Sequence, residues 1–116
     1  MYIQFVLCDY PPSTNAIWRS VRGRVIKSND YRKWLDNQTL LINLQKGQVT
    51  GRYQLTITAQ RKDNRRRDID NLIKPLHDLL VRAGKVEDDS LCQRVTAQWD
   101  DSKGQQIKLE LRSWET

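Results

Sequence analysis

Cysteine and histidine are nearly missing from this chain: Cys8, Cys92 and His77 are all it has in 116 residues. Two cysteines exclude a disulfide framework, and one histidine without a CxxC pair excludes a structural zinc site. Cys8 sits in an apolar run and Cys92 between Leu91 and Gln93. Both read as core or edge fillers in a reducing compartment. Long apolar runs are missing too, and none approaches the roughly 20 residues of a membrane span. The start, Met-Tyr-Ile-Gln-Phe-Val-Leu-Cys-Asp, has neither a basic leader nor a small-residue cleavage site, so it does not read as a signal peptide. The expected setting is the cytoplasm, with no membrane partner. There is no repeat, linker or low-complexity tract, and the expectation is one domain over residues 1–116.

What is present is charge of one sign in excess. Lysine and arginine number 20 against 14 aspartate and glutamate, for a formal net charge of +6. An excess of that size points to an acidic partner, most commonly nucleic acid. A hydrophobic content of 38% with 29% charged residues fits an ordinary globular protein.

The patterning predicts an α+β fold. Residues 2–8 read as a buried first strand, ended by Pro11-Pro12. Residues 18–26 suggest a small hairpin turning at Arg22-Gly23. A helix is predicted from about Asp30 to Lys46, with Tyr31, Trp34, Leu35, Leu41, Ile42 and Leu44 on its apolar face and Gly47 as its stop. Residues 52–60 alternate apolar and polar side chains, the period of a half-buried strand. Leucines and isoleucines at helical spacing predict a second helix over about 70–83, stopped by Gly84. Strands at about 91–99 and 107–112 flank an Asp100–Gly104 turn and read as a hairpin. The expected architecture is a mixed sheet of about four strands in the order β-α-β-α-β-β, with two helices on one face.

The chemistry gathers in Arg65-Arg66-Arg67-Asp68-Ile69-Asp70-Asn71-Leu72-Ile73-Lys74. Five of the seven residues 61–67 are basic: Arg61, Lys62, Arg65, Arg66 and Arg67. Paired carboxylates repel one another unless a cation lies between them. Proline is tolerated only in a helix's first turn, so Pro75 makes Asp70 or Asn71 the expected N-cap, with Asp68 just outside. Lys74, one turn on, projects to the side of Asp70. Mg²⁺ commonly takes one or two carboxylates plus a substrate phosphate. A nuclease uses such a metal to polarise the phosphate and to lower the pKa of an attacking water. The bland assignment is a cap, a solvated acid and an exposed lysine. A helix of about 14 residues is about 20 Å long, so an acid from the cluster Glu87-Asp88-Asp89 joins the site only if the chain doubles back after Gly84. Spacing does not choose among those three. His77 reads as structural rather than as a base, and Trp18, beside Arg19, as a lesser candidate for DNA contact.

Arg-Arg-Arg-Asp-Ile-Asp-Asn-Leu-Ile-Lys, followed by Asp78-Leu79, Ala83-Gly84 and Asp88-Asp89, resembles the RusA family of Holliday-junction resolvases. Pro11-Pro12-Ser13-x-Asn15 and Arg22-Gly23-Arg24 resemble that family's opening segment. The resemblance implies a homodimeric, Mg²⁺-dependent endonuclease (Mn²⁺ as a substitute) that binds four-way junction DNA and nicks two strands symmetrically, with no small-molecule cofactor. By position it implies Asp68, Asp70 and Asp89 as metal-binding catalytic acids, Lys74 as the catalytic lysine, and Arg67 as a DNA contact. Arg61, Lys62, Arg65 and Arg66, with Arg19, Arg22 and Arg24, are expected to grip backbone phosphates. The alternative is a non-catalytic basic nucleic-acid-binding module whose acids serve as caps and turns.

Overall fold

The elements run β1 (Tyr2–Leu7), β2 (Trp18–Val21), β3 (Arg24–Lys27), α1 (Asn29–Ile42), β4 (Tyr53–Arg61), α2 (Ile73–Arg82), β5 (Cys92–Lys103) and β6 (Ile107–Ser113), with 3-10 turns at Ile69–Leu72 and Asp89–Leu91. In this computed structural model the described residues are 1–12, 18–21, 24–27, 29–61 and 67–114, with backbone alone for 18–21 and 24–27. Four strands form a mixed sheet in the order β1-β6-β4-β5, and β2 and β3 pair as a separate antiparallel ribbon. The α+β class, the four-stranded sheet, the two helices and the small extra ribbon follow the expectation from patterning.

The C-terminal hairpin does not. β5 and β6 are not neighbours: β4 lies between them, parallel to β5 and antiparallel to β6. β5 runs through the expected turn as far as Lys103, and residues 104–106 then cross the end of β4. There Gly104 N–H donates to the Arg61 carbonyl at 3.0 Å, and Gln60 N–H to the Gln106 carbonyl at 2.9 Å. The physical reason is the alternation of β4 itself. Its apolar face (Tyr53, Leu55, Ile57, Ala59) is at most 1% exposed. A strand buried that deeply needs a hydrogen-bonded neighbour on each side, because unpaired buried backbone groups are costly. β5 is left at the edge with mostly exposed side chains.

The core lies between the sheet and the helices. Phe5 and Leu7 of β1 and Ile107, Leu109 and Leu111 of β6 meet Leu76, Leu79 and Leu80 of α2 there. β1 is a half-buried edge strand rather than a buried one, and Cys8 is exposed rather than a filler. α1 ends at Ile42, short of the expected Lys46. Its buried stripe is Tyr31, Trp34, Leu35, Gln38 and Ile42, which holds to 3.6 residues per turn. Leu41 and Leu44 fall off that stripe and are 53% and 79% exposed.

Candidate active site

The chain enters α2 through the 3-10 turn Ile69–Leu72. Asp68 occupies that turn's N-cap position with an extended backbone, and its carboxylate makes no cap hydrogen bond. The N-cap position of α2 itself is Leu72, again without a side-chain cap. The expected cap at Asp70 or Asn71 is therefore absent. The turn's own backbone bonding, such as Asn71 N–H to the Asp68 carbonyl at 3.2 Å, carries the chain into the helix. Pro75 sits in the first turn of α2, where no amide donor is needed. Asp68, Asp70 and Asn71 stay exposed.

Lys74 has two carboxylate partners. Its Nζ lies 3.1 Å from Asp78 Oδ1 and 3.4 Å from Asp89 Oδ2. Among the described residues these are its ion-pair partners, and Asp70 is not one of them. Asp70 lies in a 3-10 turn, so the one-turn α-helical spacing assumed between it and Lys74 does not hold. Asp78 also accepts a 2.5 Å hydrogen bond from the hydroxyl of Tyr31, which is fully buried. Asp78, as hydrogen-bond partner, holds the Lys74 pKa above its ordinary value. Burial, reinforced by Asp78, pushes the Tyr31 phenol well above its own. The result is a chain of donors and acceptors: Tyr31 hydroxyl, Asp78 carboxylate, Lys74 ammonium, Asp89 carboxylate.

The acidic turn reaches this point because the chain doubles back after α2. Gly84 adopts a left-handed φ of 73°, the usual glycine stop. Val49 N–H donates to the Lys85 carbonyl at 2.8 Å. The three acids then separate by role. Glu87 accepts from Gly51 N–H at 2.5 Å. Asp88 accepts from Ser90 N–H at 3.2 Å, caps the second 3-10 turn, and has its pKa lowered by the Ser90 bonds. Asp89 alone of the three faces Lys74.

Two neighbouring groups are buried. His77 is buried edge-on to Tyr53, with ring centroids 6.1 Å apart, and burial holds its pKa below the ordinary value. Lys85 is buried over the Phe5 ring and donates to the Gln45 carbonyl at 2.6 Å. Sequence reasoning passed over Asp78 and Tyr31 as site residues. Asp78 had a signal, standing four residues after Lys74 on one helix. Tyr31 had none, because α1 meets α2 only through the tertiary fold.

A cavity of about 340 Å³ opens beside Asp68. Tyr10, Pro11 and Pro12 line it from the segment after β1, and Trp99 from β5. Arg67, Asp68, Asn71 and Leu72 close it from the α2 side. The Arg67 guanidinium lies 6.0 Å from the Tyr10 ring centroid, and that of Arg61 lies 4.8 Å from Trp99's. The other expected basic contacts are less fully placed. Lys62, Arg65, Arg66 and Arg22 lie outside the described residues, as do the side chains of Arg19, Arg24 and Trp18.

Among the described residues no three His, Cys, Asp or Glu side chains converge into a ready-made metal group. The donor chemistry still fits a hard cation. Asp68 and Asp70 offer exposed carboxylates two residues apart, and Mg²⁺ commonly needs only one or two besides substrate phosphate.

The profile of the family Endodeoxyribonuclease RusA matches residues 9–112. A crossover junction endodeoxyribonuclease of Enterobacteria phage HK97 is 41% identical over 90 residues, covering 74% of this chain and 72% of the relative. One from Shigella sonnei is 37% identical over 88 residues, covering 73% and 72%. Another from Enterobacteria phage 82 is 35% identical over 90 residues, with the same coverage as the Shigella protein. With a profile match across nearly its whole length and relatives this similar, the chain belongs to the RusA family of endodeoxyribonucleases.

Proposed function

We propose that this protein is a Holliday-junction resolvase: a homodimer that binds four-way DNA junctions and makes paired, symmetric nicks with the help of Mg²⁺. The observation that carries the reading is the 3.4 Å approach of Lys74 to Asp89, two motif residues 15 positions apart that only the returning chain unites. Asp68, Asp70 and Asp89 would hold the metal, which supplies charge neutralisation at the scissile phosphate and a water more readily deprotonated. Lys74, kept as an ammonium, neutralises charge that grows on the phosphate oxygens in the transition state. Asp78 and Tyr31 fix where that ammonium points. Arg61 and Arg67 attract the backbone without regard to sequence. A homodimer with closed two-fold symmetry sets two such sites against two strands.

The test is Asp70→Asn on a synthetic four-way junction with and without Mg²⁺. Cleavage is expected to fall on the order of 100-fold or more, the usual cost of losing a preorganised charge in such a site, while junction binding is kept. Unchanged cleavage by that variant would sink the site assignment. Binding without cleavage by the unaltered protein, with Mg²⁺ and with Mn²⁺, would favour the non-catalytic module.

A further inference from the structure

From the cavity beside Asp68 we infer that a single nucleobase, unstacked from the DNA strand next to the scissile phosphate, is held between Tyr10 and Trp99 with its polar edge toward Asn71. The inference rests on the nuclease reading and deepens it, naming a subsite that would set where along a junction arm the strand is cut.

Three observations support it. At about 340 Å³ the cavity falls at the small end of the range for small-molecule sites, about 300–1,000 Å³, which suits one heterocycle. Its walls are of two kinds. Tyr10, 9% exposed with the Arg67 guanidinium 6.0 Å from its ring centroid, and Trp99 line it with aromatic rings, and stacking on such rings serves every base alike. Asn71 supplies an amide with both a donor and an acceptor, the pair needed to read a base edge. Finally, Asp68 is at once a wall of the cavity and a candidate metal ligand. A phosphate held beside that carboxylate through a shared metal ion would bring its own nucleotide's base, or the adjacent one, to the cavity mouth. Arg67 lines the same wall and attracts the phosphodiester that carries the base. The exposed Arg61 guanidinium, 4.8 Å from the Trp99 ring centroid, would be displaced toward the backbone by an entering base.

Abasic substitution tests this. Junctions are made with one abasic nucleotide at each successive position around the point of strand exchange, and single-turnover cleavage and junction affinity are measured for each. One position should slow cleavage roughly 5- to 150-fold, the equivalent of one base–aromatic stack. In Trp99→Leu, which keeps apolar bulk but removes the flat face, intact and abasic junctions should be cut at similar rates, as a closed double-mutant cycle requires. A melting curve establishes that this variant is folded. Asn71→Ala, at an exposed position, gives a second readout: it should level the rates among the four bases at that same position. Equal tolerance of abasic sites everywhere would overturn the inference. So would a sensitive position whose penalty persists in Trp99→Leu and whose base preference persists in Asn71→Ala. If the unaltered protein cuts no junction at all, the nuclease reading fails and the subsite with it.

Discussion

Asp78 joins the buried Tyr31 to the exposed Lys74. One oxygen accepts a hydrogen bond from the Tyr31 hydroxyl at 2.5 Å and the other faces Lys74 Nζ at 3.1 Å. A lysine side chain is long and flexible, and an exposed pair with Asp89 alone would hold it weakly. A carboxylate anchored from within limits that motion. Asp78→Asn is expected to lower the cleavage rate about 10-fold, the usual lower bound for a group that orients a reactive one, with little change in junction affinity. Tyr31→Phe should act in the same direction and less strongly, since Asp78 keeps its ion pair. Single-turnover cleavage and equilibrium binding, measured side by side with thermal melts, distinguish this from simple loss of fold. The carboxylates of Asp68 and Asp70, Lys74 and the acid cluster were all legible in the sequence, because each is a reactive residue type in a short run. Asp78 was visible only as part of a pattern. The link to Tyr31 was invisible, because 47 positions separate the partners.

Two of the departures from what patterning alone predicts concern the start of α2 and the pairing of β5 and β6. The start of α2 reads as a capped α-helix, yet a 3-10 turn precedes it, and Lys74 pairs with Asp78 and Asp89. Periodicity cannot distinguish the two helix types over four residues. β5 and β6 read as a hairpin because a turn signal lies between them. The tertiary fold inserts β4 instead, leaving the turn to bridge over a strand end. Gly104 is where that crossing is tightest. Its φ is 155°, and a Cβ there would stand 2.2 Å from Gln60 Oε1. That oxygen accepts from Gln106 N–H at 3.0 Å, while the same amide donates to Ser102 Oγ at 3.0 Å. Gly104→Ala therefore strains the backbone and displaces a side chain that pins the crossing. Stability should drop by about 1–3 kcal/mol, seen as a lower urea midpoint with an unchanged m-value.

For the molecule as a whole, the +6 net charge predicts how DNA affinity responds to salt. Each phosphate neutralised contributes about −0.9 to the slope of log K against log salt concentration. Arg67→Ala should weaken junction binding similarly across sequences and make that slope shallower by about one. Titrations at several salt concentrations check both, and an unchanged slope would remove Arg67 from the phosphate contacts.

The sequence by itself determined the α+β class, the apolar faces of β4 and α2, and the residues that carry charge and chemistry. Those properties are local: the period of side-chain alternation, the turn preference of glycine and proline, and the charge of each side chain hold wherever the chain runs. Tertiary structure alone decided that β4 lies between β5 and β6, that Asp78 links Lys74 to Tyr31, and that Tyr10 and Trp99 share a cavity with Asp68. Each depends on which distant segments hydrogen-bond and pack together. Burial of the whole core sets that, and no short stretch encodes it.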